Sequence, residues 1–478
     1  MLQSRMGRAV SLGLLLTLLL PATALAQDAP TVEAVKGELD TTWIMVATCL
    51  VFFMQAGFAL LEIGFSRGKN AGMGIAKIVV NFSIASLIWW AVGYGFAFGG
   101  DGTLLGDSGF FLGNGTELAG EAVDGHGIGF FAFQLMFLGV SLAIVWGSTL
   151  ERIKFGAYVI YAVVFGALIY PLIAHMAWGG GILSRVGSGV QDFAGSSVVH
   201  LTGATGALAA VLLLGPGKGK YGPDGRPRAI PGHSMPLFGL GVLILWLGWF
   251  GFNGGSTFGT TDGTFGEVIA VTNMGAIGGV LGAALLIWLK TRKLDVGMVG
   301  NGAIAGLVAI TAPAGFVELW AAPIIGFIGG LVVVAGVIAI DRKLDDPVGA
   351  LSAHGLAGIW GTLACGLFTS DRLAAVGRPG LFYGGGLEQL GVQALAVVVT
   401  FLTVFILSLI AFAFIRATIG LRVSPEEEDA GLDISEHGMY GYPEQFIPAP
   451  ELIGVGSTRP GASARAGAAV ANPSEVPA

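Results

Sequence analysis

Eleven apolar runs follow one another along this chain, at about 41–66, 72–98, 127–149, 155–174, 193–214, 233–254, 267–289, 298–315, 319–340, 350–369 and 389–416. A helix of about 20 residues crosses the hydrocarbon core of a bilayer. The connections between runs are short and rich in glycine or charge. The pattern predicts an all-α polytopic membrane protein with eleven transmembrane helices. A shorter apolar stretch at 10–20 follows Arg5 and Arg8 and precedes Ala24-Leu25-Ala26. It is expected to be a secretory signal peptide occupying residues 1–26. The mature chain would then begin outside the membrane, with a transmembrane unit at 27–422 and a polar tail at 423–478.

Composition sharpens the class. Only 12% of the 478 residues are charged and 54% are hydrophobic, against roughly 25% charged in an ordinary soluble protein. That charge cannot clothe several soluble domains. A net charge of −7 without a basic block excludes nucleic acid as an expected partner. Cys49 and Cys365 lie in separate apolar stretches, so neither a disulfide framework nor a metal cluster is expected. The loop G-P-G-K-G-K-Y-G at 215–222 lacks Walker spacing, and no nucleophile elbow or metalloprotease helix occurs. An enzyme is not expected, nor is a cofactor.

Charge also orients the chain. One set of alternate connections holds thirteen basic residues, including Arg67, Arg152, Lys220, Arg292 and Arg342; the other holds three, Arg185, Arg372 and Arg378. This positive-inside asymmetry puts the C-terminus in the cytoplasm and the N-terminus outside. Glu426, Glu427, Glu428 and Asp429 open an acidic tail, and its last 25 or so residues are expected to stay disordered.

Ionisable residues at membrane depth are functional candidates by default. Asp192 precedes His200 by eight residues in D-F-A-G-S-S-V-V-H, and Asp346 precedes His354 by the same eight in D-P-V-G-A-L-S-A-H. The motifs open spans five and ten, which suggests an inverted five-helix repeat plus a final helix. Such repeats place their site at the midplane interface. Eight helical residues rise about 12 Å, which sets each histidine well below its aspartate. The imidazoles are either a converging pore pair and proton relay or two separately satisfied core histidines. Zinc requires three or four protein ligands, so no metal is expected there. Among the aromatics, Phe133 and Phe137 flank Gln134, and Trp249, Phe252 and Ser256 fall in G-W-F-G-F-N-G-G-S. Trp178 stands beside three glycines and is a candidate vestibule residue rather than an interfacial anchor. Its π-face would attract a cation by about 0.5–2 kcal/mol.

Taken together, R-G-K-N at 67–70, L-E-R-I-K-F at 150–155, A-H-M-A-W-G-G-G, the two D-x7-H motifs, G-W-F-G-F-N and the tail stretch R-V-S-P-E-E-E-D-A-G-L-D-I-S-E-H-G resemble the ammonium transporter family (Amt/Mep/Rh), specifically its bacterial Amt branch. The likeness runs from about 41 to 442. It implies a homotrimer in the bacterial cytoplasmic (inner) membrane, with one hydrophobic pore per subunit. Trp178 and Ser256 would form an outer ammonium-recruitment site with Phe137 beside it, and Phe137 and Phe252 would stack as a gate. His200 and His354 would line the pore as a bonded pair and proton path, with Trp249 beside them and Thr311 in the lower part. Asp192 would be structural near the recruitment site. The tail at 423–442 would be regulatory, with a PII-type nitrogen-signalling protein as partner. The alternatives are an ammonium sensor acting through its tail and an Rh-like neutral gas channel.

Overall fold

The structure is a computed structural model and describes residues 31–113, 125–260 and 263–446. The expected signal peptide at 1–26 and the distal tail lie outside the described residues. In chain order the main helices are α1 (Val32–Phe65), α2 (Gly68–Phe98), α3 (Gly125–Gly147), α4 (155–177), α5 (Ser196–Leu214), α6 (Met235–Gly255), α7 (Thr264–Thr291), α8 (Val296–Thr311), α9 (Ala321–Ile340), α10 (Leu351–Phe368) and α11 (Glu388–Thr418). Among the described residues there is no β-strand, only isolated bridges such as that between Ile153 and Arg422. An apolar segment in lipid must satisfy its backbone internally, and helices do so.

Among the described residues ten helices are long and apolar enough to cross a membrane; α8, with 16 residues, is shorter. Its apolar run extends past the helix end, but Pro313 has no N–H to continue the ladder. The free carbonyls are used elsewhere: Ala312 accepts from Phe193 N–H at 3.0 Å and Thr311 from Ala194 N–H at 3.2 Å. The α8 terminus is thus tied to the loop that carries Asp192. At the other extreme, α1 starts well before its apolar run, because the Thr31 hydroxyl caps it by accepting the Ala34 N–H at 3.1 Å.

Backbone contact between glycines and neighbouring helices sets the packing. A Cβ on Gly64 would stand 2.5 Å from the Phe238 nitrogen, and one on Gly241 2.5 Å from the Leu61 nitrogen. Farther along, Gly248 meets Met54 and Gly255 meets Ala47. Numbers fall on α1 as they rise on α6, so the two helices run antiparallel. The same holds for α5 and α10: Ser197 and Thr362 share a hydroxyl bond at 2.6 Å, while Gly355 faces Ala204. These are the directions that an inverted arrangement of two five-helix halves requires. Small residues permit such approach where lipid provides no hydrophobic drive.

The proximal tail is folded against the basic connections. It forms α12 (Pro425–Ala430), started by a Ser424–Glu427 capping box, and α13 (Leu432–His437). Asp433 accepts the N–H groups of Gly72 and Met73 at 3.0 and 2.7 Å, covering the start of α2. Lys69 donates to the carbonyls of Glu428 and Asp429, and Glu428 pairs with Arg422 at 2.8 Å. We call this the tail end of the bundle, and the opposite one the Trp178 end.

Candidate functional site

Both histidines are placed by the same local device. Asp192 lies in the connection before α5, and its carboxylate accepts the N–H groups of Gly195, Ser197 and Val198 at 3.0, 3.0 and 2.9 Å. Asp346 does the same before α10, accepting the Leu351 N–H at 2.7 Å and the Ser148 hydroxyl at 2.9 Å. A carboxylate at a helix start satisfies otherwise orphaned donors. The chain then turns through Gly195 (φ +107°) and Gly349 (φ +75°), a region that disfavours side chains. A π-helical turn follows in each case, Ser196–Leu201 and Leu351–Leu356. The aspartate-to-histidine segment is therefore half loop and half wide helix. The eight-residue spacing is thus not one continuous α-helix, because the carboxylate caps the helix from the connection before it.

The imidazoles converge. His200 Nδ1 and His354 Nδ1 are 3.2 Å apart, and the rings stack with centroids 5.2 Å apart and a 20° interplanar angle. They come from α5 and α10, which cross in opposite directions. His200 Nε2 is buried without a hydrogen-bond partner. Its ring also stacks on Trp249, with centroids 5.1 Å apart. Trp249 in turn donates its indole N–H to the Thr311 hydroxyl at 2.8 Å. Thr311 is thus level with Trp249 and with the Asp192 loop, toward the Trp178 end. The lower placement implied by the family resemblance is corrected: α8 delivers its C-terminus, not its start, to this level.

Toward the Trp178 end the row continues through aromatic rings. Phe252 lies 5.6 Å from His200 and stacks on Phe137 with centroids 4.0 Å apart at 18°. Phe137 meets Trp178 edge to face at 6.1 Å. Trp178 is half-buried, and its indole N–H donates to the Asp192 carbonyl at 2.7 Å. Ser256, one turn beyond Phe252 and capping the end of α6, is buried and donates its hydroxyl to the Phe252 carbonyl at 2.9 Å. Toward the tail end, His354 opens on a narrow cavity of ≈ 20 Å³, room for one water-sized molecule. Phe58, Glu62 and Asn301 share that cavity with it. Among the described residues no group of three or more His, Cys, Asp or Glu side chains forms a metal cage.

Glu62 and Lys77 are buried in this region, 2% and 0% exposed, and were not among the sequence-derived candidates. Each is a charge inside an apolar run, which is the usual signal, but no repeat draws attention to either. His175 belongs to a different category: its ring nitrogens bond the carbonyls of Ala97 and Gly102 and tie a loop.

Fold and side chains together define a multi-pass helical membrane protein with a central row of aromatic and imidazole rings. A model of the Ammonium Transporter Family matches residues 42–442. The ammonium transporter Amt2 of Archaeoglobus fulgidus is 43% identical over 92% of this chain and 96% of its own length. An ammonium transporter of Bacillus subtilis is 34% identical over 85% and 99% respectively. Among solved structures, a sensor Amt protein matches at TM-score 0.78 and 36% identity, covering 85% of this chain and 100% of its own. Mep2 of Candida albicans matches at 0.75 and 28%, covering 82% and 87%. The chain belongs to the ammonium transporter family, and its function is transport, not enzymatic catalysis.

Proposed function

We propose that the chain moves ammonium across the bacterial inner membrane by separating it into ammonia and a proton along the Trp178–His354 row. The observation that carries this reading is the unbroken sequence of contacts from Trp178 through Phe137 and Phe252 to the two bonded histidines. Trp178 and Ser256 receive the cation at the outer mouth, the Trp178 π-face contributing about 0.5–2 kcal/mol. The stacked Phe137 and Phe252 close the path until a solute displaces them. Beyond them the row is apolar, and a naked cation there is costly. Ammonia passes, while the proton is handed between His200 and His354, whose neutral nitrogens can each donate or accept. Trp249 and Thr311 hold the His200 ring, and Asp192 fixes the turn that carries it.

In this reading α8 also spans, giving eleven spans in two inverted halves plus α11. The subunits form a homotrimer, the N-terminus is outside after loss of residues 1–26, and 27–422 is the transport unit. The tail at 423–442 lies in the cytoplasm and is regulatory. Its docking on the first turns of α2 and on the connection at 215–220 supports a role for a PII-type protein acting on that face. A second reading, an ammonium sensor, is favoured by the sensor Amt neighbour.

Currents through the reconstituted protein under ammonium, methylammonium and potassium pulses test the proposal. Ammonium current without potassium current is expected. Flux without charge would instead indicate a neutral gas channel, binding without flux a sensor, and equal potassium current would refute the proposal.

A further inference from the structure

We propose that Glu62 is the proton-exchanging carboxyl at the tail end of the path, the group from which ammonia takes its proton after the histidine pair. This rests on the reading that ammonium crosses as ammonia plus a proton. Glu62 sits near the end of α1, one turn beyond Phe58, whose ring centroid is 6.4 Å from that of His354. Residues four apart share a helix face, so α1 presents Phe58 and Glu62 to one narrow cavity, with His354 and Asn301 on its far walls. The cavity admits one water-sized molecule, which is also the size of ammonia.

Glu62 Oε2 is buried without a hydrogen-bond partner, and so is Lys77 Nζ. Lys77, the charged group facing Glu62 from α2, turns its ammonium onto the Trp146 ring, 3.3 Å from the centroid. A closed structural ion pair would bring the two within 4.0 Å, and none forms between them among the described residues. From α4, Tyr158 faces Glu62 but bonds Asn81 and the Leu142 carbonyl. From α8, Asn301 donates to the Val348 carbonyl at 3.0 Å. His354 is the titratable group from α10, and α3 presents the backbone at Gly147. Beyond Lys77 stand Glu436 and His437 of the tail. A buried carboxyl oxygen without a hydrogen bond is costly; facing the cavity below the relay, it is placed for proton exchange.

The step balances. A proton leaving His354 crosses the cavity to a Glu62 oxygen, forming O–H. The ammonia lone pair then takes that proton, forming N–H as O–H breaks, and leaves as ammonium. The carboxylate accepts the next proton from the pair, so one ammonia and one proton exit per cycle.

The test compares the full-length protein in proteoliposomes with Glu62→Gln, Glu62→Asp and the double variant Glu62→Gln/Lys77→Met, which leaves no lone buried charge if the single variant misfolds. Ammonium current should fall at least tenfold in the Gln variants and recover in part with Asp, while ammonia flux read by internal pH persists. Infrared difference spectra on ammonium addition should show a carboxyl C=O change in the wild type that the Gln variants lack. Currents within twofold of wild type in a folded Gln variant, or no wild-type carboxyl response, would overturn the proposal. A wild type that carries no current yet shows the Glu62 carboxyl change would refute charge separation and leave Glu62 as an ammonium-responsive carboxyl.

Discussion

Asp192 and Asp346 are each followed by a left-handed glycine three residues on, and by a histidine in a π-helical turn. The surroundings then diverge. Three backbone N–H groups converge on Asp192, and His200 is packed between Trp249, Phe252 and His354, 0% exposed. Asp346 divides its oxygens between Leu351 N–H and the Ser148 hydroxyl, beside the Arg152–Asp345 ion pair at 3.1 Å. His354 opens on the cavity that holds Glu62. One local device thus serves two environments: a closed aromatic stack toward Trp178 and a region rich in charge toward the tail. What the repeat conserves is the placement of an imidazole; what each half adds is the direction in which that imidazole can exchange.

The largest expected effect separates the two aspartates. Asp192→Ala leaves three buried donors unpaired and should destabilise the protein by about 3–5 kcal/mol, since bonds to charged groups contribute about 1.5–3 each with partial compensation. Asp346→Ala should cost about 1–3 kcal/mol, because it leaves one backbone N–H and one hydroxyl without their acceptor rather than three N–H groups. Melting in detergent at a fixed scan rate ranks them; an equal or reversed order breaks the comparison.

A pH scan of stability sharpens it. Burial pushes the Asp192 carboxyl up from 3.8 to about 6, against the backbone N–H bonds that oppose the shift. The folded protein then holds this proton more tightly than the unfolded chain. The stabilisation is fully present below about pH 4 and is lost as pH rises through about 6, amounting to about 2–3 kcal/mol. Asp192→Asn should remove most of that slope. Burial also raises Asp346, so a smaller slope remains. A slope unchanged by Asp192→Asn contradicts the assignment.

The smallest effect concerns Trp178. Trp178→Ala loses a π contact of about 0.5–2 kcal/mol, which should raise the half-saturating ammonium concentration roughly 2- to 30-fold. Trp178→Phe keeps a π-face but not the N–H bond to Asp192, and should fall between. Concentration dependence unchanged in a folded Ala variant would remove Trp178 from the recruitment site.

Much of this was legible in the sequence because lipid imposes strong rules. Apolar length marked where each main helix runs, apart from the capped start of α1 and the Pro313 end of α8. The D-x7-H repeat marked the histidines, and their convergence needed only two antiparallel entries. Thr311 was misplaced because its level depends on which terminus of α8 meets the Asp192 loop, a tertiary fact. Glu62 escaped notice because its meaning lies in the cavity it shares with His354, and spacing along one helix does not reveal a cavity between several.

Ammonium current through the reconstituted His200→Ala/His354→Ala protein, measured beside the wild type with melting to verify the fold, tests the central claim most directly. With the imidazole pair as the proton path, the variant folds and its ammonium current is lost. An undiminished, ammonium-selective current in that folded variant would contradict it.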